Sequence, residues 1–403
     1  MTNEIKNVPE LRFPEFKEGW SKLKLGELAE IVRGSSPRPI SDPRWFDINS
    51  DIGWLRISDV TEQNGKITKL EQKISKDGQK KTRVLHSKHL LLSIAASVGK
   101  PVINYVKTGV HDGFLIFLKP LFDIEFMYQW LDAYRPKWKK YGQPGSQVNL
   151  NSELVKSQKI YMPHSVEQKK ISDFFSKLDR QIELEEQKLE KLEEQKKGYM
   201  QKIFSQELRF KDKNGNEYPE WEVIKLKDIL SERKEYASKI GNYPHATLST
   251  SGISLKSDRY NRDFLVKDKN KKYKVTIMND ICYNPANLKF GVITRNHIGS
   301  VIFSPIYITF EVNNAHSPLF IELLVTRNDF INRVRKYEEG TVYERMAVKP
   351  EDFLNYETKI PCLEEQEKIG NFFSKLDELI NKQNQKIDGL KKRKRGFLQK
   401  MFV

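Results

Sequence analysis

One stretch of this chain occurs twice. Glu167 to Phe204 reads EQKKISDFFSKLDRQIELEEQKLEKLEEQKKGYMQKIF, and Glu365 to Phe402 reads EQEKIGNFFSKLDELINKQNQKIDGLKKRKRGFLQKMF, aligned without a gap at a constant offset of 198. In the first copy Ile171, Phe175, Leu178, Ile182, Leu189 and Leu192 mark an apolar seam, and in the second Ile369, Phe373, Leu376, Ile380, Ile387 and Leu390 do the same. With Glu185 and Gln383 included, these positions alternate four and three residues apart, the rhythm of a coiled-coil helix. The polar interruptions match as well, Glu185 with Gln383 and Lys196 with Lys394. Each copy predicts a helix about 57 Å long at about 1.5 Å per residue.

The repeat extends beyond the helices. Leu11-Arg12-Phe13 returns as Leu208-Arg209-Phe210, and Pro14 to Leu28 (PEFKEGWSKLKLGEL) returns as Pro219 to Leu230 (PEWEVIKLKDIL), with Trp20 matching Trp221. The chain is a tandem of globular region, helix, globular region, helix. In the first region GWLRISDV, HLLLSIAA, KPVINYV and GFLIFLKP read as strands and IEFMYQWLDAY as a helix. In the second, YKVTIM, ICYN, GVITRN and SVIFSPIYITFEV read as strands and SPLFIELLVTRNDFINRVRKY as one helix. The frames agree while the loops differ, as expected where two sites read two different things or where two copies drift after duplication.

Charge narrows the partners. The formal net charge is +16, and a basic excess favours a polyanion because neutralised phosphates release counterions. No run of about 18 apolar residues occurs and the N-terminus lacks an apolar signal core, so a soluble, cytoplasmic protein with no membrane partner is expected. Cys282 and Cys362 are the only cysteines and suit a reducing compartment.

Catalytic signatures are missing. The sequence contains no phosphate-binding G-x-x-x-x-G-K-[ST] and no G-x-G-x-x-G. His86 and His89 lack the helix-borne pattern of a metal site, and His111-Asp112 has no nucleophile elbow to serve. Asn284-Pro285-Ala286-Asn287 lacks the second proline and the aromatic of amino-methylating enzymes and reads as a polar turn.

Basic and amide-bearing loops supply DNA-contact candidates. In the loop RGSSPRP, Arg33 and Arg38 suit phosphates or guanine edges, and Ser35 and Ser36 suit phosphates. Lys80, Lys81 and Arg83 form a second cluster, and Gln143, Ser146, Gln147 and Asn149 a third. The second region offers Thr250, Ser251, Lys256, Arg259, Arg262, Lys271, Lys272, Asn284, Asn287, Lys289, Tyr343 and Arg345. The run Lys391 to Arg395 has three readings: DNA backbone contact, a solvated helix face, or pairing with the first helix. Pairing is favoured, because residues 159–207 carry 10 basic and 10 acidic side chains while 359–403 carry 11 and 6. If the helices lie antiparallel, positions adding up to about 572 meet.

The tandem plan, the Pro-x-x-x-Glu-Gln start of each helix (Pro163, Glu167, Gln168; Pro361, Glu365, Gln366) and the preceding Gly145-Ser146 and Gly340-Thr341 closely resemble the DNA specificity subunits of type I restriction-modification systems. The resemblance covers essentially the whole chain. It implies an α+β fold: two tandem, pseudo-repeated globular target recognition domains (1–158 and 207–358), separated by two long conserved helices (159–206 and 359–403) that form an intramolecular antiparallel coiled coil. It implies a bipartite double-stranded DNA target, two docked methyltransferase (modification) subunits and added restriction/translocase subunits. Such a subunit is not itself an enzyme; S-adenosylmethionine, ATP and Mg are expected in its partners. The alternative is a coiled-coil DNA-binding regulatory protein unconnected with restriction.

Overall fold

The repeated stretches form two helices, Ser165–Phe204 and Leu363–Lys400. The structure, a computed structural model, describes residues 7–94, 97–141, 150–238, 243–256, 272–340 and 346–402. The chain divides into two units, Met1–Lys188 with Gln383–Val403, and Leu189–Lys382. Each unit therefore contains one globular region, part of one long helix and part of the other.

In unit 1 a five-stranded sheet runs in the order Glu30–Arg33, Phe114–Leu118, His89–Ser93, Pro101–Asn104, Lys66–Ile67, antiparallel except for its last pairing. Thr108–Val110 forms a second sheet between Gly53–Leu55, parallel to it, and Arg83–Leu85, antiparallel. The helix Ile124–Tyr134 occupies the predicted residues, its first turn capped by Asp123, which accepts from the Phe126 amide at 2.8 Å. GWLRISDV is a strand only as far as Leu55. Ile57–Glu62 is helical, because the Asp59 carboxylate accepts from the Arg56 amide at 2.8 Å and closes a helix start.

Unit 2 repeats the frame. Leu230–Glu232, Ile308–Val312, Ile281–Tyr283 and Ile293–Arg295 form a sheet in the same order as the first four strands above. Beside it lie a three-stranded sheet (Tyr236–Ser238, Lys272–Thr276, Val301–Phe303) and the hairpin Ala246–Ser249 with Gly252–Leu255. The single long helix expected after these strands is two, Pro318–Thr326 and Asn328–Val334. Arg327 between them is extended; its guanidinium lies 4.0 Å from the Phe204 ring and its Nε donates to Asp329 at 2.8 Å.

The Glu-Gln motif at each helix start fastens the frame. Glu167 is 2% exposed, and both its carboxylate oxygens accept from Arg12, at 2.6 and 2.8 Å, while Trp20 Nε1 donates at 3.2 Å. Gln168 donates to the Pro163 carbonyl and accepts from the Asp123 amide, each at 2.9 Å. In unit 2 Arg209 donates to Glu365 at 3.3 and 2.6 Å, and Gln366 joins the Pro361 carbonyl to the Ser317 amide at 2.8 and 3.0 Å. Alongside, Ser21–Lys24 pairs antiparallel with Lys159–Met162, and Glu222–Lys225 with Glu357–Ile360. The segment before each globular region is thus tied to the strand and helix that follow it.

The seam positions are buried or half-buried. Ile171, Phe175, Leu178, Ile182, Ile369, Phe373 and Ile387 are buried; Leu189, Leu192, Leu376, Ile380 and Leu390 are intermediate. The helix ends are part of the globular cores: Ile171, Phe175, Leu398 and Met401 pack with Trp20 and Phe126 in unit 1, and Ile203, Ile369 and Phe373 with Trp221 and Phe320 in unit 2. The pairing is antiparallel in the expected register. Phe174 meets Phe397 and Asp179 meets Lys394 in unit 1, while Tyr199 meets Phe372 and Lys196 meets Asp377 in unit 2. Of the basic run, Lys391 and Lys394 are held by the first helix, through Glu186 at 2.6 Å and Asp179 at 2.8 Å.

Replacing Glu167 by Gln leaves the Arg12 guanidinium facing a neutral amide. Breaking a buried pair from one side predicts a loss of roughly 3 kcal/mol, read as a lower denaturant midpoint of the full chain; an unchanged midpoint would refute the anchoring role. Hydrogen bonds from Gln383, then Lys386 and Lys188, hold the Glu185 carboxyl down to about 2. A depressed carboxyl contributes its stability above the ordinary range and loses it as pH falls from 4.5 towards about 2. Thermal midpoints followed over that interval should fall less steeply in Glu185→Gln than in the parent.

Candidate nucleic-acid interface

The loop after strand Glu30–Arg33 is shaped by the turn that follows Thr108–Val110. Gly34 donates to the Phe114 carbonyl at 2.9 Å and Ser35 to the Val110 carbonyl at 3.0 Å. A Cβ at position 34 would lie 2.1 Å from the His111 carbonyl oxygen, so only glycine fits there.

Asp112 holds the loop by three groups. Its backbone carbonyl accepts from Arg33 Nε at 2.6 Å, one carboxylate oxygen accepts from the Ser36 hydroxyl at 2.8 Å, and the other accepts from Arg38 Nη2 at 2.6 Å. Burial pushes the Asp112 carboxyl up, but the Ser36 hydroxyl and Arg38 outweigh it and hold it below the usual carboxylate range. Arg38 is 70% exposed and Asp112 36%, so the pair faces solvent.

The second basic cluster joins the first. Arg83 Nε donates to the Arg33 carbonyl at 2.8 Å, and the Thr82 hydroxyl donates to the Ser35 carbonyl at 2.6 Å. Lys80 and Lys81 are exposed beside them, Lys80 paired with Asp77 at 2.8 Å. Residues 33–38 and 80–83 thereby form one surface with four outward cations besides Lys80. His111 lies behind it. Its Nδ1 accepts from the Gly113 amide at 2.9 Å, its ring contacts Phe114 edge-on, and burial lowers its pKa, so it is a neutral wall of the site. Gln143, Ser146, Gln147 and Asn149 lie outside the described residues.

Unit 2 presents a different surface on the same frame. Thr250 and Ser251 are exposed at the tip of the hairpin Ala246–Ser249/Gly252–Leu255, and Lys256 is exposed at its end. Lys272 is exposed at the start of its strand. Asn284 is 8% exposed, and its side-chain oxygen accepts from the Ala286 amide at 3.2 Å, so it caps the short helix Pro285–Phe290. The polar turn expected from the sequence is this cap. Asn287 and Lys289 are exposed on the same helix, Lys289 lying 5.0 Å from the ring of Phe290, itself 63% exposed. Arg259, Arg262, Lys271, Tyr343 and Arg345 lie outside the described residues.

Sequence reasoning missed the groups that organise these surfaces. Asp112 is 76 residues from Ser36, and the sequence singled it out only beside His111 as a catalytic candidate. Arg233, paired bidentately with the buried Asp280 at 2.8 and 3.0 Å, gave no signal either. The same is true of Arg295, which Glu322, Asn279 and His297 surround at 3.0, 2.6 and 3.1 Å. Among the described residues no group of three or more His, Cys, Asp or Glu is placed to hold a metal ion, and no helix is long and apolar enough to cross a membrane.

Residues 17–194 match the family model described as type I restriction modification DNA specificity domain. The chain is 21% identical over 418 residues to the type I restriction enzyme MjaVIII specificity subunit of Methanocaldococcus jannaschii, covering 96% of this chain and 93% of that protein. It is 29% identical over 221 residues to the putative type I restriction enzyme MjaX specificity subunit of the same organism; that alignment spans 50% of each. In fold it is similar to the crystal structure of a type I restriction-modification S subunit from M. genitalium, with a TM-score of 0.59 at 15% identity, covering 98% of this chain and 99% of that one. A chain from a structure of type I system assembly and conformational transition superposes with a TM-score of 0.54 at 14% identity, covering 96% of this chain and 98% of that one. The duplicated helix, the Glu-Gln anchor beneath it and these relatives agree: residues 17–194 match a type I restriction modification DNA specificity domain, and the chain along its length is similar in sequence and fold to type I specificity subunits.

Proposed function

We propose that this chain is the non-catalytic, DNA-reading subunit of a type I complex, recognising two short sequences separated by a nonspecific spacer. Residues 1–158 and 207–358 act as the two target recognition domains, and 159–206 and 359–403 as helical spacers. The observation that carries this reading is one frame used twice, with the same Arg–Glu anchor and strand order but different exposed polar residues on each copy. Two different readers on one scaffold suit a target with two unlike halves.

In the first domain the reading surface comprises Arg33, Ser35, Ser36, Arg38, Lys80, Lys81 and Arg83. Arg38 is presented by Asp112 with most of its guanidinium free, a geometry suited to phosphate oxygens or a guanine edge. In the second domain Thr250, Ser251, Lys256, Lys272, Asn287 and Lys289 are the described candidates. Methyltransferase subunits dock on the helices and the restriction/translocase subunits join them; S-adenosylmethionine, ATP and Mg act in those partners. The long helices then act as a ruler for the spacer. Each base pair advances about 3.4 Å along one strand of DNA, while one helical turn adds about 5.4 Å.

Methylome mapping of a strain carrying the complex tests this reading. Four residues inserted after Glu190 and, at the facing level of the second helix, after Asn381 should lengthen the spacer and leave both half-sequences unchanged; altered half-sequences would defeat the ruler. Exchanging the first globular region for that of another specificity subunit should alter one half-sequence only. Arg38→Ala should weaken binding by the assembled methyltransferase about 5- to 150-fold, corresponding to about 1–3 kcal/mol for a base-edge contact. Loss of discrimination should be confined to one half-site, and unchanged affinity would remove Arg38 from the surface.

A further inference from the structure

The two helices meet at residues that are each other's copies. Gln383 Nε2 donates to the Glu185 carboxylate and to the Glu185 carbonyl, both at 2.8 Å, and the two residues stand 198 apart, which is the offset of the repeat. Two antiparallel copies of one helix bring equivalent positions together at a single level. At that level a second copy of the first helix would set Glu185 against Glu185, and a second copy of the second helix would set Gln383 against Gln383.

Most polar contacts of the seam do not distinguish these arrangements. Asp179 pairs with Lys394 and Lys196 with Asp377, but Asp179 is the copy of Asp377 and Lys196 the copy of Lys394. Like helices would keep both pairs. Lys188 and Lys386, which both reach Glu185, are copies too.

Two contacts do distinguish them. The Gln383 amide supplies protons to a carboxylate that is 5% exposed. A glutamate in its place supplies none and puts two carboxylates within hydrogen-bond distance, a contact that disfavours ionising both. Lys188 and Lys386 are 62% and 53% exposed, so solvent screens their compensation. The second contact is Glu186 with Lys391 at 2.6 Å. Lys391 is the copy of Glu193, and Glu186 of Asn384. The first helix paired with itself would set Glu186 against Glu193, and the second would set Asn384 against Lys391, so neither self-pair keeps this ion pair.

We propose that the seam is a matched, unlike interface: the first helix accepts the second helix and rejects a second copy of itself, and Gln383 and Lys391 are the residues that discriminate. Partner choice in coiled coils is often carried by such repulsive elements against the wrong pairing. The consequence here is that a chain of two similar halves pairs its own helices in one register.

Variants of the full-length chain test this. Gln383→Glu recreates inside the chain the Glu–Glu contact of a self-paired first helix, and Glu185→Gln combined with Gln383→Glu exchanges the two partners. Gln383→Glu should lower the thermal midpoint at neutral pH by about 5 °C, and the exchanged pair should recover most of that loss. If Gln383→Glu fails to fold, recovery of folded chain by the exchange carries the same meaning. A parental midpoint for Gln383→Glu, or an exchanged pair no better than Gln383→Glu alone, would overturn the proposal.

Discussion

The fold depends on a carboxylate buried where each long helix leaves its globular region. Glu167 and Glu365 are nearly inaccessible, and a charge removed from water is tolerated only when its partners satisfy it. Arg12 and Arg209 do so with forked geometry. Their positions fix the rest: the arginine lies before the globular region and the glutamate after it, so satisfying the charge closes the region into a loop. The adjacent glutamine then spans a proline carbonyl on one side and a helix-start amide on the other. These bonds orient the helix relative to its own sheet, which apolar packing of Ile171 and Phe175 alone would leave free to rotate.

Polar groups within the seam do a different task. Leucine and isoleucine at heptad positions favour association but allow several registers. Glu185, Lys196, Gln383 and Lys394 each find a definite partner, and a slip of one turn would separate each from it, setting Glu185 and Gln383 against the isoleucines and leucines of the seam. Register is thereby set by donors and acceptors, while the energy of association comes from the flanking side chains and from the aromatic contacts at the ends, such as Phe174 with Phe397.

The features legible in the sequence were those written locally or repeated. Heptad spacing placed both helices to within two residues of their ends, the matched breaks pointed to pairing within one chain, and the antiparallel sense came from the family resemblance. Apolar runs bounded by turns located Phe114–Leu118 and His89–Ser93, and Ile124–Tyr134 was fully visible. What escaped depends on which partner a side chain captures, a near one in the first case and distant ones in the others. The Ile57–Glu62 helix begins because Asp59 captures the Arg56 amide, in a stretch whose apolar content suggested a strand. The break at Arg327 rests on stacking against Phe204, more than a hundred residues earlier. Asp112 organises a loop it never approaches in sequence, and nothing local distinguishes it from any other turn aspartate.

The two units also differ in how they hold comparable charges, and that difference bears on where such a scaffold can change. Arg233 and Asp280 are 13% and 2% exposed, and removing either partner would strand a buried charge. Arg38 and Asp112 are 70% and 36% exposed, a setting in which an ion pair contributes about 0–1 kcal/mol. An arginine held so weakly can exchange its carboxylate for a phosphate or a base edge at little cost to folding, and can be replaced without unfolding the domain. The anchors beneath the helices have no such freedom. The Arg–Glu anchors and the order of the four central strands are the same in both globular regions, while the exposed, lightly held residues differ between them.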